Sequence, residues 1–236
     1  MIKRIRFATR RGDVPPGTFP RVWTSVVAAA ADAPPGVRPA RVAVCTNLRE
    51  FTGPAPRHDG IGVEWFTDAG HLHRFAEWLD TPPGRALTLR AGGVLDRARS
   101  PVVVADESVL RGADWLGRRW RDGGDRLKHM ALARRADGLT PAEFSARWRG
   151  HAGRVGAAGA VAIPEHARGC AYVQNHPHPR SGGEWAYDAV NEVYFDDGAD
   201  LRARIEWFRE NLPEPGGDGL FGRSWFLAVR ERIVSA

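Results

Sequence analysis

The sequence predicts an α+β chain made of two ferredoxin-like βαββαβ repeats that pack on one another within the chain. Three observations predict it. The chain repeats itself, strand-like stretches outnumber helix-like ones two to one in each copy, and 236 residues suit two units of about 100 residues each.

The repeat is carried by two aligned blocks. Setting "KRIRFATRR…TFPRVW" over "KHMALARRA…EFSARW" pairs Lys3 with Lys128, Ala8 with Ala133, Arg10 with Arg135, Phe19 with Phe144 and Trp23 with Trp148, always 125 residues apart. Setting "DGIGVEWFTDAGHLHRFAEW" over "DAVNEVYFDDGADLRARIEW" pairs Asp59 with Asp188, Phe66 with Phe195, Glu77 with Glu206 and Trp78 with Trp207, always 129 apart. A small loop insertion between the blocks accounts for the change of offset. The expected boundaries are residues 1–110 for the first half, 111–126 for a linker and 127–236 for the second half.

The elements are clearest in the second copy. "RLKHMALARR" alternates like a strand. "LTPAEFSARWRGHAGRV" opens a helix with Thr140 as N-cap, Pro141 at the first helical position and Glu143 placed for a capping box. "CAYVQNH" and "YDAVNEVYF" read as strands, "DDGADLRARIEWFREN" as a helix and "SWFLAVRER" as the closing strand. This is the ferredoxin-like order, an antiparallel sheet with helices on one face. Two such units hide their bare faces by packing sheet against sheet.

Composition narrows the function. The net charge of +6 comes from scattered arginines, and Lys3 and Lys128 are the only lysines, so no clustered basic patch points to nucleic acid. No apolar run approaches the roughly 20 residues of a membrane span, and "IKRIRF" after Met1 lacks a signal-like apolar middle; the expectation is a cytoplasmic protein without a membrane partner. Cys45 and Cys170 lack ligand-like spacing and read as buried thiols.

The second copy resembles the EthD domain family. "LARRADGLTPAEFSARWRGHA", "YVQNH" and "AVNEVYFDD" follow in order its arginine-bearing first strand, its "G-L-T-x-E-x-F" helix start, its "W-x-x-H", its "Q-N-H" strand end and its acid-aromatic third strand, over roughly residues 127 to 232. The first copy departs from the pattern, with Val26 where His151 stands and "CTNL" for "VQNH". The resemblance implies a dimeric α/β-barrel, here closed within one chain. It further implies degradative or tailoring chemistry on polyketides or other aromatic compounds. The wider fold group also hosts cofactor-free monooxygenases, isomerases, cyclases and some haem enzymes, and fold alone does not choose among them.

Strand alternation sorts residues between the barrel interior and the helix-covered face. With Met130 and Leu132 toward the helices, His129, Ala131, Ala133 and Arg135 turn inward. Tyr172, Gln174 and His176 then face inward from the next strand, and Asp188, Val190, Glu192 and Tyr194 from the third. The first half adds Arg4, Arg6 and Arg10, then Val44, Thr46 and Leu48, then Asp59, Ile61, Val63 and Trp65. One half brings acid/base groups and the other brings arginines and apolar walls, so one site per chain is expected, toward the second half.

His176, held by Pro177 and Pro179 in "QNHPHP", is placed to shuttle protons near neutral pH. Glu192 is a candidate general base if burial raises its pKa, with pairing to an arginine as the bland alternative. His151 shares a helix face with Phe144, Trp148 and Val155 and is either a core histidine or a group supporting His176. His129, Arg135, Tyr172, Gln174, Tyr194, Arg4 and Arg6 are candidate substrate contacts. "H-x-H" at His176 and His178 is a weak metal signal, and no metal or cofactor is expected. "GGDGLFG" contains G-x-G-x-x-G but follows a helix and precedes a strand, the reverse of a dinucleotide fingerprint, and reads as a flexible loop or lid.

The expectation is a cofactor-independent enzyme acting on a small hydrophobic or aromatic substrate by cyclisation, dehydration or isomerisation. Cofactor-free oxygenation and a non-catalytic ligand carrier are the alternatives. A monomer with an intrachain pseudo-dimer satisfies both sheet faces, and further homodimerisation stays open.

Overall fold

In the computed structural model, residues 1–53, 55–150, 154–155, 161–180, 182–211 and 219–235 are described. In the first half these are β1 (Ile2–Ala8), α1 (Phe19–Ala28), β2 (Arg41–Asn47), the one-turn α2 (Arg49–Thr52), β3 (Gly60–Phe66), α3 (Ala69–Leu79), α4 (Pro82–Val94) and β4 (Val102–Arg111). Then come α5 (Ala113–Asp122), β5 (Asp125–Arg135), α6 (Pro141–Arg149), the short pair β6 (Arg154–Val155) and β7 (Val161–Ala162), and α7 (Glu165–Arg168). The chain ends with β8 (Ala171–Pro177), β9 (Ala189–Phe195), α8 (Gly198–Asn211) and β10 (Phe221–Ser235).

Eight strands close into an antiparallel barrel in the order β1-β3-β2-β10-β5-β9-β8-β4. Each half runs fourth-first-third-second, as β4-β1-β3-β2 and β10-β5-β9-β8, and the halves join along β2 with β10 and β4 with β8. Closure leaves no sheet edge to protect. No described helix is long and apolar enough to cross a membrane.

The local signals behave as their chemistry requires. Thr140 and Glu143 form the reciprocal capping box of α6, with Glu143 N–H donating to Thr140 Oγ1 at 3.2 Å and Thr140 N–H donating to Glu143 Oε2 at 2.8 Å. The expected linker is mostly helical. α5 lays Leu116 against Ala171, Val173 and Tyr194, and Trp120 over Arg41, 3.7 Å from the ring centre, at one end of the barrel. Cys45 is buried, whereas Cys170 is partly exposed.

The interior has two characters. Ile5, Phe7, Val63, Met130, Leu132, Val190 and Leu227 form an apolar core. Toward the end under α5, Lys3, Lys128, Glu192 and Glu231 lie fully buried with Arg126. Met130 and Leu132 therefore face inward, and the expected orientation of β1, β2, β5 and β8 is reversed: His129, Tyr172, Gln174, His176, Arg4 and Arg6 lie on the helix-covered face. β3 and β9 are oriented as expected, with Trp65 and Glu192 inside. The physical reason is that a closed barrel has apolar packing on both faces, so alternation gives parity but not side.

Candidate functional site

The helix-facing surface of the second half carries most of the candidate residues. Register sets them in three rows across β5, β9 and β8: His129, Val193, Tyr172; then Ala131, Asn191, Gln174; then Ala133 and Ala189 beside His176. On the same face the first half carries Arg4, Glu64, Val42; then Arg6, Gly62, Val44; then Ala8, Gly60, Thr46. The second half brings neutral histidine, amide and phenol groups to this face, and the first half brings Arg4, Arg6 and Glu64.

The floor of the second half is open at its centre. Ala131 and Asn191 are mid-strand and on the helix side, yet both keep partial exposure, as does Phe226 beside Ala131 on β10. The small side chain of Ala131 leaves this part of the floor uncovered, whereas Ala133 and Ala189 are packed under Phe144 and Trp148 of α6. Trp148 of α6 is buried with its ring 4.5 Å from His176 between centroids, and Phe208 of α8 stands edge-on to His129 at 5.5 Å.

Gln174 is fully buried, and its Nε2 donates to Trp148 O and to Tyr172 Oη, each at 3.3 Å. Tyr172 Oη donates onward to Asn191 Oδ1 at 3.1 Å. Gln174 Oε1 and His176 Nδ1 are buried and have no hydrogen-bond partner among the described residues. Orphaned buried acceptors are costly, about 1–3 kcal/mol each, and natural proteins keep few of them.

His129 has a defined protonation state. Arg204 Nε donates to its Nδ1 at 3.0 Å, so that nitrogen is an acceptor and the proton sits on Nε2. Burial and then the Arg204 charge push its pKa well below the usual histidine value, so the ring stays neutral. Arg204 is itself anchored by Nη1 donating to Ala167 O at 2.8 Å. Burial, followed by Arg149, also lowers His176, with Asp106 opposing, so His176 is neutral at pH 7. Burial raises the Tyr172 phenol, which keeps its proton.

The other candidates are held elsewhere. Glu192 lies inside the barrel, on the opposite side of the sheet from His176. There it accepts from Lys3 at 2.5 Å, Asn175 at 2.8 Å and Tyr194 Oη at 3.0 Å, and also from Lys128. Burial raises its pKa, but the two lysines overcome that and hold the carboxylate ionised, below the usual range. Glu192 is thus an ion-pair partner rather than the general base expected of it, and the sheet separates it from His176. Arg135 pairs with Asp188 at 2.6 Å, and its backbone N–H donates to the same carboxylate at 3.0 Å. Arg10 N–H makes the matching bond to Asp59 at 3.0 Å. His178 faces Asp106 at 3.0 Å. His151 lies outside the described residues.

Sequence reasoning missed Asn191 and Arg204. Asn191 is the single polar residue of β9 on the helix side, and its parity opposite to Glu192 was the available signal. Arg204 sits among exposed charges of α8, and nothing in the sequence separates it from them.

Comparison with solved structures finds similar chain paths at very low identity. A candidate monooxygenase from Lactobacillus acidophilus NCFM aligns at 7% identity and a TM-score of 0.49, covering 99% of this chain and 95% of that one. A candidate monooxygenase from Fusobacterium nucleatum aligns at 6% and 0.49, covering 99% and 92%. A variant chlorite dismutase from Candidatus Nitrospira defluvii aligns at 9% and 0.41, covering 97% and 90%. No protein-family profile and no curated protein matches the chain.

Proposed function

We propose that the chain is a small-molecule enzyme of EthD-like type, built from two halves descended from one ferredoxin-like unit, residues 1–110 and 127–236, with its site on the helix-covered face of the second half. The observation that carries this reading is the pair of orphaned acceptors, Gln174 Oε1 and His176 Nδ1, beside an open floor at Ala131 and Asn191. A substrate hydroxyl or amide donating to them would satisfy both.

The chemistry that fits is proton transfer on an aromatic or polyketide-like compound, leading to cyclisation, dehydration or isomerisation. His176 is neutral at pH 7 and serves as the base, then returns the proton as the acid. Neutral His129 offers Nε2–H to an enolate-like oxygen, while the Tyr172 hydroxyl, its proton given to Asn191, holds the polar floor in place. Trp148, Phe208 and Phe226 give the substrate an apolar bed. In the oxygenase version of this reading the same base would form a carbanion that reacts with dissolved oxygen, and turnover would then require oxygen.

The test is mass spectrometry of small molecules retained through native purification, followed by turnover assays of the compound found. The expected result is a bound aromatic compound converted by wild type, with His176→Ala losing at least about 100-fold while keeping its fold. Retained activity in His176→Ala sinks the catalytic assignment, and a ligand released unchanged by wild type turns the reading to a carrier.

A further inference from the structure

The helix-covered face of the first half holds a cleft lined by two arginines, Arg4 and Arg6, and one carboxylate, Glu64. The cleft has an empty volume of ≈ 430 Å³, mouth included, and Arg4, Arg6, Trp23, Val27, Leu87 and Thr88 are among the residues lining it. Arg4 is spoken for by Glu64, the carboxylate opposite it on β3. Among the described residues Arg6 has no hydrogen bond or ion pair. Burial and then the neighbouring Arg4 disfavour its charge, Glu64 favours it and Arg97 opposes it; its pKa falls to about 10 and it remains a cation at neutral pH.

Apart from the Arg4–Glu64 pair and Thr88, the rest of the cleft is apolar. Trp23 is buried and lies over Gly62, the register partner of Arg6, where an added Cβ would come within 3.2 Å of Trp23 Cζ2 and 3.0 Å of Val27 Cγ2. The Thr88 hydroxyl is turned to Gly84 O at 3.3 Å and leaves the polar work to Arg6. A half-buried guanidinium whose donors make no hydrogen bond is costly, the two arginines outnumber the single carboxylate of the cleft, and the planar fork of Arg6 matches a carboxylate bidentately.

We propose that this cleft binds a small carboxylate with an aromatic or branched aliphatic body, Arg6 gripping the carboxylate while the body packs on Trp23, Val27 and Leu87. This site is separate from the second-half site and does not depend on its chemistry.

The experiment is titration of the intact protein with phenylacetate, 2-phenylethanol and inorganic phosphate, followed by calorimetry and tryptophan fluorescence. Saturable binding of phenylacetate, at least tenfold weaker binding of the alcohol, and at least tenfold loss in Arg6→Gln are expected, with His176→Ala binding as wild type. Should Arg6→Gln fail to fold, Ala91→Trp, which fills the cleft from α4, is expected to abolish binding without touching the guanidinium. Equal binding of acid and alcohol, tighter binding of phosphate, loss in His176→Ala, or no binding at millimolar phenylacetate would each overturn the proposal.

Discussion

Lys3 and Lys128, the only lysines of the chain, grip one carboxylate from two sides: Lys3 Nζ donates to Glu192 Oε1 at 2.5 Å, and Lys128 Nζ donates to Oε2. They occupy matching places on β1 and β5. Each also meets a glutamate from the last strand of its own half, Glu107 at 2.8 Å for Lys3 and Glu231 at 2.5 Å for Lys128. The charges alternate, so each buried ion is compensated by neighbours from the other sign.

Breaking this arrangement on one side leaves uncompensated buried charge. Glu192→Gln should destabilise the fold by about 3–5 kcal/mol, read as a lower urea midpoint. Because the folded-state pKa of Glu192 is depressed, its contribution is present above the ordinary carboxylate range and is lost as pH falls below it. A variant as stable as wild type would show that the network contributes little.

The opposite mouth should make the protein acid-sensitive at a higher pH. His58 Nε2 lies 2.5 Å from Tyr187 Oη and its Nδ1 3.0 Å from Thr9 Oγ1, and burial, then Arg57, lowers its pKa to about 3. Unfolding lets this ring take a proton at its ordinary value near 6.5, so stability should fall as pH drops from about 6.5 toward 3, by up to about 1.4 kcal/mol per pH unit. His129 adds a second such proton. Stability measured against pH should lose one proton of slope in His58→Gln and one in His129→Gln; unchanged slopes would refute the assignment.

Gln174 separates binding from stability. Gln174→Leu removes an orphaned acceptor along with two long hydrogen bonds, so thermal stability should change by no more than about 1 kcal/mol. Ligand binding in the second-half site should fall about tenfold. Calorimetry on one preparation reads both quantities, and unchanged affinity would take Gln174 out of the site.

Gly112 fixes the entry to α5. Its φ is +77°, and an added Cβ would lie 2.3 Å from Cys170 O and 2.7 Å from Ala171 Cα. Gly112→Ala should cost about 1–3 kcal/mol for overpacking, with a further left-handed backbone penalty. Altered emission from Trp115 and Trp120 would report a displaced α5, and a wild-type spectrum with wild-type stability would contradict this.

Local landmarks made the strand and helix positions legible. Lys3 with Lys128 and Trp23 with Trp148 mark corresponding strands and helices, and Thr140 with Glu143 marks where α6 begins. Orientation was not legible, because Met130 and Leu132 suit the barrel interior as well as a helix layer. Register decides it: Met130 pairs with Glu192 on β9, so both share a side, and pairing across 62 residues leaves no local trace. The polar set His129, Tyr172, Gln174 and His176 was readable as a group because alternation keeps it together whichever side it faces. The Arg204 contact to His129 depends on helix packing, and the amine-rich interior depends on barrel closure; neither has a local signature.

The seclusion of both lysines gives the folded chain an unusual chemical surface. Neither ε-amino group can be reached by acylating reagents, amine cross-linkers or enzymes that attach groups to lysine until the barrel opens. Lysine labelling therefore counts opened molecules directly, and any tagging for destruction through these two residues would fall only on chains that have already lost their shape.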